Sequence, residues 1–206
     1  NPALLSYLER EFVASGYDLR KLLRLIATST TYQLSPIPRF GKPSEQACFA
    51  SYPVRRLDAE VLIDAVNRIT GSTESYSSPI PEPFTFVPED QRTIALADGS
   101  ITSTFLELFG RPPRDSGMLA ERNNAPSAAQ RLHMLNSSHI QRKLEQSAEL
   151  RNVLRGRLPR QTVVTLYLTV LSRFPTNAEL NSALRYVQGG GAGLDIAWAL
   201  LNSAEF

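Results

Sequence analysis

The charged residues that could bind or transform a ligand are densest in one short stretch of the 206-residue sequence. Arg55 and Arg56 are followed closely by Asp58 and Glu60, where an extended segment enters a predicted helix. Acidic side chains in a first helical turn interact favourably with the positive end of the helix dipole, so Asp58 and Glu60 have a structural explanation that needs no ligand. The stretch therefore allows either a binding site or a structural ion-pair network.

Charged residues from much later in the sequence could meet this cluster in the folded chain. Glu121 or Glu107 could form a bidentate ion pair with one of its two arginines. Arg111, Arg114 and Arg122 could converge there too, and an excess of guanidinium groups would suit a sulfate, a phosphate or an acidic sugar. We expect structural pairing, because ion-pair networks often imitate binding sites.

The two histidines, His133 and His139, are the remaining candidates for proton transfer or metal binding. Six residues apart on a continuous helix they would lie on different sides of it, so the sequence predicts no two-histidine metal site. A general base needs a positioned partner, so we expect packed or capping histidines, with Asn136 between them as a further candidate polar residue. The single Cys48 cannot complete a disulfide, a zinc site or a covalent haem motif. We predict no metal and no cofactor in this chain.

The composition argues against nucleic-acid binding and against membrane insertion. There are 22 Lys and Arg against 20 Asp and Glu, and 42% of the residues are hydrophobic, which is typical of a nearly neutral globular chain. The arginines are spread along the whole length, whereas nucleic-acid binding favours basic residues on one face, so no nucleic-acid partner is predicted. No apolar run is long enough to span a bilayer, so no membrane insertion is predicted.

Apolar residues recur at helical spacing along most of the chain, between recognisable helix caps. The predicted N-caps are Asn1, Asp18, Ser103, Ser127, Thr176 and Asp195. Ser127 and Thr176 are each followed three residues later by Gln or Glu, the spacing of a capping box. The one stretch that allows a short β-hairpin is Thr93 to Thr102, around Asp98-Gly99. The predicted fold is all-α, an irregular multi-helix bundle with a long Pro/Ser-rich insert and room for one short hairpin.

We expect residues 1–206 to form a single helical domain. The alternative is two sub-halves, 1–71 and 103–206, joined by the irregular insert 72–102. Because the sequence opens directly on a helix start at Asn1-Pro2, we expect it to be a fragment of a larger protein.

Seven stretches in order resemble one known family. They are LIATSTTY at 25–32, PVRRLDAE at 53–60, FGRPPR at 109–114, Glu121-Arg122 with Pro126-Ser127, LNS at 135–137, SRFPT at 172–176 and WALLNSAEF at 198–206. The family is the domain of unknown function 1553, the C-terminal domain of large planctomycete-type secreted proteins. Members typically follow a companion domain of unknown function 1549, and many carry an N-terminal cytochrome c-like domain.

The resemblance implies an extracytoplasmic address, periplasmic or secreted, for the parent protein. Any haem would lie elsewhere in that protein, because this chain has no Cys-x-x-Cys-His motif. It also lacks the cysteines that some members have just before the stretch equivalent to Glu121-Arg122. Residues 167–206 are in addition similar to the helical modules of phycobilisome linkers, which are protein-interaction modules.

The leading hypothesis is a non-catalytic interaction domain that packs on its companion domain or binds another extracytoplasmic protein. One alternative is part of an enzyme acting on complex or sulfated carbohydrate, although we favour no enzymatic activity for this chain alone. Its candidate site residues are Arg55, Arg56, Glu60, Arg111, Arg122 and His133. A further alternative is a docking module for a cytochrome c-like redox domain. A deep pocket that gathers the candidate residues around a poised carboxylate would favour the enzyme.

Overall fold

The computed structural model describes residues 1–35, 51, 56–77, 87–96, 101–112, 122–123, 125–155 and 158–206. These residues form α-helices and one short 3-10 helix and include no β-strand, so the predicted all-α class is confirmed. The chain divides into two compact units, Asn1–Arg55 and Arg56–Phe206. The division falls between Arg55 and Arg56, shortly before the helix that begins at Ala59, and not within the insert 72–102.

The described residues of the first unit form a helical hairpin. Helix α1 (Pro2–Ala14) and helix α2 (Leu19–Ala27) contact each other. The Asn1 side chain accepts a hydrogen bond from the first turn of α1 at 3.2 Å, and the Asp18 carboxylate accepts two from the first turn of α2. Both predicted caps are therefore formed, and Gly16 turns the chain between the helices with a positive φ of 73°.

The other helices that the structure describes belong to the second unit. They are α3 (Ala59–Thr70), the 3-10 helix (Thr93–Ala95), α4 (Thr104–Leu108), α5 (Ala128–Asn136), α6 (Ser138–Gln146), α7 (Ala148–Leu154), α8 (Pro159–Leu171), α9 (Asn177–Gln188) and α10 (Gly193–Leu201). Ser103 caps α4, and both predicted capping boxes are formed at the starts of α5 and α9. The predicted cap at Asp195 is wrong by three residues: Asp195 lies inside the first turn of α10 and accepts a hydrogen bond from the Ala192 N–H.

The hairpin considered for Thr93 to Thr102 is not supported by the part of it that the structure describes. Its first arm is the 3-10 helix, and the Asp98-Gly99 turn lies outside the described residues. The Asp64 carboxylate of α3 accepts hydrogen bonds from the backbone N–H groups of Thr93 and Ile94 at 2.8 and 3.1 Å. This segment thus satisfies its backbone donors with a side chain and has no need of a partner strand.

The core of the second unit forms around α3 and α8. Helix α3 contacts α4, α6, α7 and the 3-10 helix, while α8 contacts α7, α9 and α10. The large apolar side chains that are almost fully inaccessible are Ile63, Val66, Leu106, Ile140, Leu150, Val163 and Leu166. Each such side chain contributes about 1.5–3 kcal/mol through its removal from water. They come from α3, α4, α6, α7 and α8, so the core fixes these helices relative to one another.

A break at Ser137 separates α5 from α6. Ser137 is in an extended conformation, with φ −71° and ψ 137°, and its side chain accepts a hydrogen bond from the Ile140 N–H at 3.3 Å. Asn136 is the last residue of α5, and its backbone is not in the left-handed region. The chain therefore changes direction between His133 and His139, and the two rings lie on two different helices.

Arg173 connects the end of α8 to the start of α9 and to the C-terminus. Its guanidinium donates to both carboxylate oxygens of Glu179 at 3.0 and 2.8 Å, and also hydrogen-bonds Glu205. The hydrogen bonds from Arg173 hold the pKa of Glu179 at about 2. This carboxylate therefore stays ionised well into acid.

We predict that Arg173→Gln raises the pKa of Glu179 from about 2 towards its ordinary value of 4.5. Because the folded-state pKa is depressed, the interaction stabilises the protein above pH 4.5, and the stabilisation is lost as the pH falls towards 2. The pKa can be read from a carboxyl-carbon NMR titration. Arg185→Gln on α9 is the control, and an unchanged Glu179 titration in Arg173→Gln would contradict the assignment.

Candidate functional site

A buried carboxylate lies at the centre of the predicted cluster. Glu60, in the first turn of α3, is 4% exposed. Arg122 donates from Nη1 and Nη2 to its two carboxylate oxygens at 2.8 and 2.7 Å, and Arg111 Nε lies 3.2 Å from Oε1. Burial alone would raise the pKa of Glu60, but the Arg122 hydrogen bonds and the charges of both arginines outweigh it, so the pKa lies below its ordinary value.

The turn after α4 brings the two arginines to this carboxylate. Gly110 has a positive φ of 96°, and its carbonyl accepts a hydrogen bond from the Asn123 N–H at 3.1 Å. A Cβ built on Gly110 would collide with the Asn123 carbonyl, so only glycine allows the two segments to lie this close. Arg111 is 5% exposed and donates from Nη1 to the Ile101 carbonyl at 2.8 Å.

Gln130 forms a second polar junction. Its Oε1 accepts from Arg56 Nη2 at 2.8 Å and from the Ser127 N–H at 3.0 Å, and its Nε2 donates to the Leu108 carbonyl at 2.8 Å. The amide thus ties the segment before α3 and the end of α4 to the start of α5. The capping-box spacing identified Gln130 as a cap, but no sequence signal indicated the contacts with Arg56 and Leu108.

The structure brings together some of the predicted residues and separates others. Arg111, Arg122 and Glu60 converge, and the bidentate pair that the structure describes joins Arg122 to Glu60. Arg55, Arg114 and Glu121 lie outside the described residues. Arg56 lines a cavity of about 510 Å³ with Leu62, Phe109 and Phe206, and neither Glu60 nor Arg111 lines that cavity.

The structure also describes two further candidates, Asp58 and Asn136. Asp58 precedes α3 with an extended backbone, and its side chain does not cap the helix. Asn136 is exposed at the end of α5.

His133 belongs to a separate polar cluster that sequence reasoning missed. Its Nε2 lies 3.4 Å from Nδ1 of His139, whose Nε2 lies 2.8 Å from Oε1 of Glu74. Lys143 Nζ lies 2.6 Å from the same Glu74 oxygen. The expectation that the two histidines face different sides of one helix is wrong, because the helix breaks at Ser137.

Glu74 holds the segment after α3 against α6. Lys143 also donates to Asn67 Oδ1 at 2.7 Å and to Ser72 Oγ at 3.1 Å. Burial alone would raise the pKa of Glu74, but the hydrogen bonds from His139 and Lys143 outweigh it and the pKa is lowered. Burial, with the neighbouring His139, lowers the pKa of His133. Glu74 lies in a stretch that the sequence predicted to be an irregular surface insert, and nothing in the sequence pointed to its histidine partner.

The comparison with known families agrees with the resemblance carried by the seven sequence stretches. The family model described as PSD1, protein of unknown function (DUF1553), matches residues 1–187. The chain belongs to this family. No curated protein and no solved structure matches it. The DUF1553 resemblance seen in the sequence is thereby confirmed, and the described helices of this member include none that is both long enough and apolar enough to cross a bilayer.

We predict that Glu60→Gln lowers the free energy of unfolding by about 3–5 kcal/mol, because it removes the charge that compensates a buried guanidinium. Urea denaturation followed by circular dichroism measures the change. Glu107→Gln, on the exposed face of α4, is the control and should change stability by less than about 0.5 kcal/mol. Equal effects of the two substitutions would contradict a central role for Glu60.

A second prediction separates backbone strain from close approach at Gly110. Gly190 has a nearly identical positive φ of 93°, but a Cβ there would meet no atom within 4 Å. Gly190→Ala should therefore cost only the strain of a left-handed backbone, about 1–3 kcal/mol. Gly110→Ala should cost about 1–3 kcal/mol more, since the Asn123 carbonyl must move. Similar unfolding free energies for the two variants would show that the close approach is unimportant.

Proposed function

We propose that this DUF1553 domain is a non-catalytic helical interaction domain of a large extracytoplasmic protein, and that α2 is its docking element. The observation that carries the proposal is an apolar stripe on α2. Leu19, Leu23 and Ile26, at positions i, i+4 and i+7, are 62, 64 and 38% exposed. Spacing of this kind places the three side chains on one face of the helix.

The stripe is additional to the contact that holds the hairpin together. Leu8 and Phe12 of α1 and Leu22 and Leu25 of α2 are half-buried, as expected for the side chains between two paired helices. No residue of α1 or α2 is fully buried. A helix of nine residues that keeps one flank of its apolar face exposed resembles the ligands of helix-in-groove recognition.

The occupant we propose is the companion domain of unknown function 1549, which the family resemblance places in the same parent protein. Arg20, Lys21 and Arg24 are the charged residues of α2, so the complementary surface would be an apolar groove with an acidic rim. The extracytoplasmic address is part of the proposal and rests on the same resemblance.

The geometry of the Glu60 cluster supports a non-catalytic role. An enzyme acting on sulfated or complex carbohydrate was expected to hold its carboxylate poised for proton transfer in a pocket with the arginines. Glu60 is instead held between Arg111 and Arg122, with a lowered pKa and almost no exposure. A carboxylate in this state is a poor proton donor, and the guanidinium groups that it pairs serve to fix the fold.

We predict that the companion domain from the same parent protein binds the 206-residue chain, and that Leu23→Asp weakens this binding more than tenfold. Burying an unpaired carboxylate costs more than the roughly 1.4 kcal/mol that corresponds to a factor of ten. Isothermal titration calorimetry of the two separately purified partners gives the dissociation constant.

The matched control is Leu132→Asp, which places the same charge at another exposed leucine, 57% accessible, on α5. It should bind the companion domain as the unchanged chain does. Absence of binding, or equal weakening by both substitutions, would contradict the proposal. If sedimentation shows that the chain alone forms a dimer that Leu23→Asp dissociates, the occupant is a second copy and the companion domain is the wrong partner.

A further inference from the structure

Two facing nitrogens of the histidine rings are separated by a distance that fits a long hydrogen bond and also fits two ligands of one metal ion. The 3.4 Å between His133 Nε2 and His139 Nδ1 is longer than the roughly 2.7–3.2 Å of a hydrogen bond donated by N–H. Two imidazole nitrogens bound to one tetrahedral zinc ion, each at about 2.0–2.1 Å, lie about 3.3–3.4 Å apart. The pair is therefore spaced like two ligands of one ion.

Glu74 gives His139 the orientation that metal-binding histidines have. A carboxylate can only accept a hydrogen bond, so the 2.8 Å contact with Glu74 places the His139 proton on Nε2. The lone pair of Nδ1 then remains available on the side of His133. A carboxylate bonded to the far N–H of a ligating imidazole is the common outer shell of zinc sites, and here Lys143 in turn holds the carboxylate at 2.6 Å.

Packing fixes both rings, and both residues remain partly exposed. Phe105 contacts the His133 and His139 rings edge to face, at centroid distances of 5.5 and 5.7 Å, and Phe109 contacts His133 at 6.0 Å. The His139 side chain is 30% exposed, and it lines a polar cavity of about 480 Å³ with Glu74 and Lys143. The nitrogens are thus held in place before any ion arrives.

We propose that His133 and His139 form the protein half of a binding site for a borderline divalent transition-metal ion such as Zn²⁺, with Glu74 as the outer-shell partner of His139. Neutral imidazole is a ligand that Zn²⁺, Cu²⁺ and Ni²⁺ accept. The described residues contain no cluster of three or more His, Cys, Asp or Glu that could hold a metal, so two coordination positions stay open to water or to a ligand from a partner. The ion would link α5 and α6 across the break at Ser137.

The sequence allows a clean test, because it has only two histidines and one cysteine. In a tag-free chain carrying Cys48→Ser, Zn²⁺ should bind with a stoichiometry of one in isothermal titration calorimetry. The electron paramagnetic resonance spectrum of the Cu²⁺ form should show coupling to two imidazole nitrogens. His133→Asn or His139→Asn should each weaken Zn²⁺ binding at least tenfold and leave one coupled nitrogen.

Glu74→Gln should weaken Zn²⁺ binding about 10–100-fold while both nitrogens remain coupled to Cu²⁺. Glu145→Gln removes a carboxylate from the exposed face of α6 and should change nothing. Thermal unfolding of each variant without metal checks that it is folded, and the Cu²⁺ spectrum of the Cys48→Ser chain is measured without any substitution at the proposed site. Absence of saturable binding would show that the pair is a hydrogen bond only, and unchanged binding in the double His→Asn variant would place the ion elsewhere. Either result overturns the proposal.

Discussion

The arrangement of the second unit depends on the burial of one carboxylate. Removing an ionised Glu60 from water costs several kcal/mol unless strong hydrogen bonds and opposite charges compensate. Arg122 and Arg111 supply that compensation from the two segments that meet at Gly110 and Asn123. The conformation of this crossing and the position of α3 are therefore coupled, because neither can move without exposing a charge to an apolar interior.

Compensation of buried polar groups by distant partners also fixes several loops and helix ends of the second unit. Gln130 joins three segments through its amide, Asp64 satisfies the backbone of the 3-10 helix, and Glu74 with Lys143 fixes the residues after α3. In each case a buried or half-buried polar group contacts a segment distant in sequence. Since an unsatisfied buried polar group is costly, these contacts specify one arrangement of the loops where hydrophobic packing alone would allow several.

The two units differ in how they use apolar surface. The second unit buries its large side chains between α3, α8 and the neighbouring helices. The hairpin of the first unit keeps an apolar stripe accessible on α2. The proposed docking element and the proposed metal pair therefore lie in different units and rest on different physics, hydrophobic contact in one case and coordination by neutral imidazole in the other. Failure of one proposal would leave the other standing.

The sequence by itself determined the features that depend on neighbours along the chain. Helical periodicity predicted the all-α class, and local caps at Asn1, Asp18, Ser103, Ser127 and Thr176 predicted half of the described α-helix starts, because these interactions span three or four residues. Motif order also identified the DUF1553 family. Only the tertiary structure decided which charges meet: Glu60 pairs with a residue 62 positions away and Glu74 with one 65 positions away. The contact between His133 and His139 also depends on the tertiary structure. The helix breaks at Ser137, so the two histidines lie on two different helices and face each other, whereas on one continuous helix they would point to different sides.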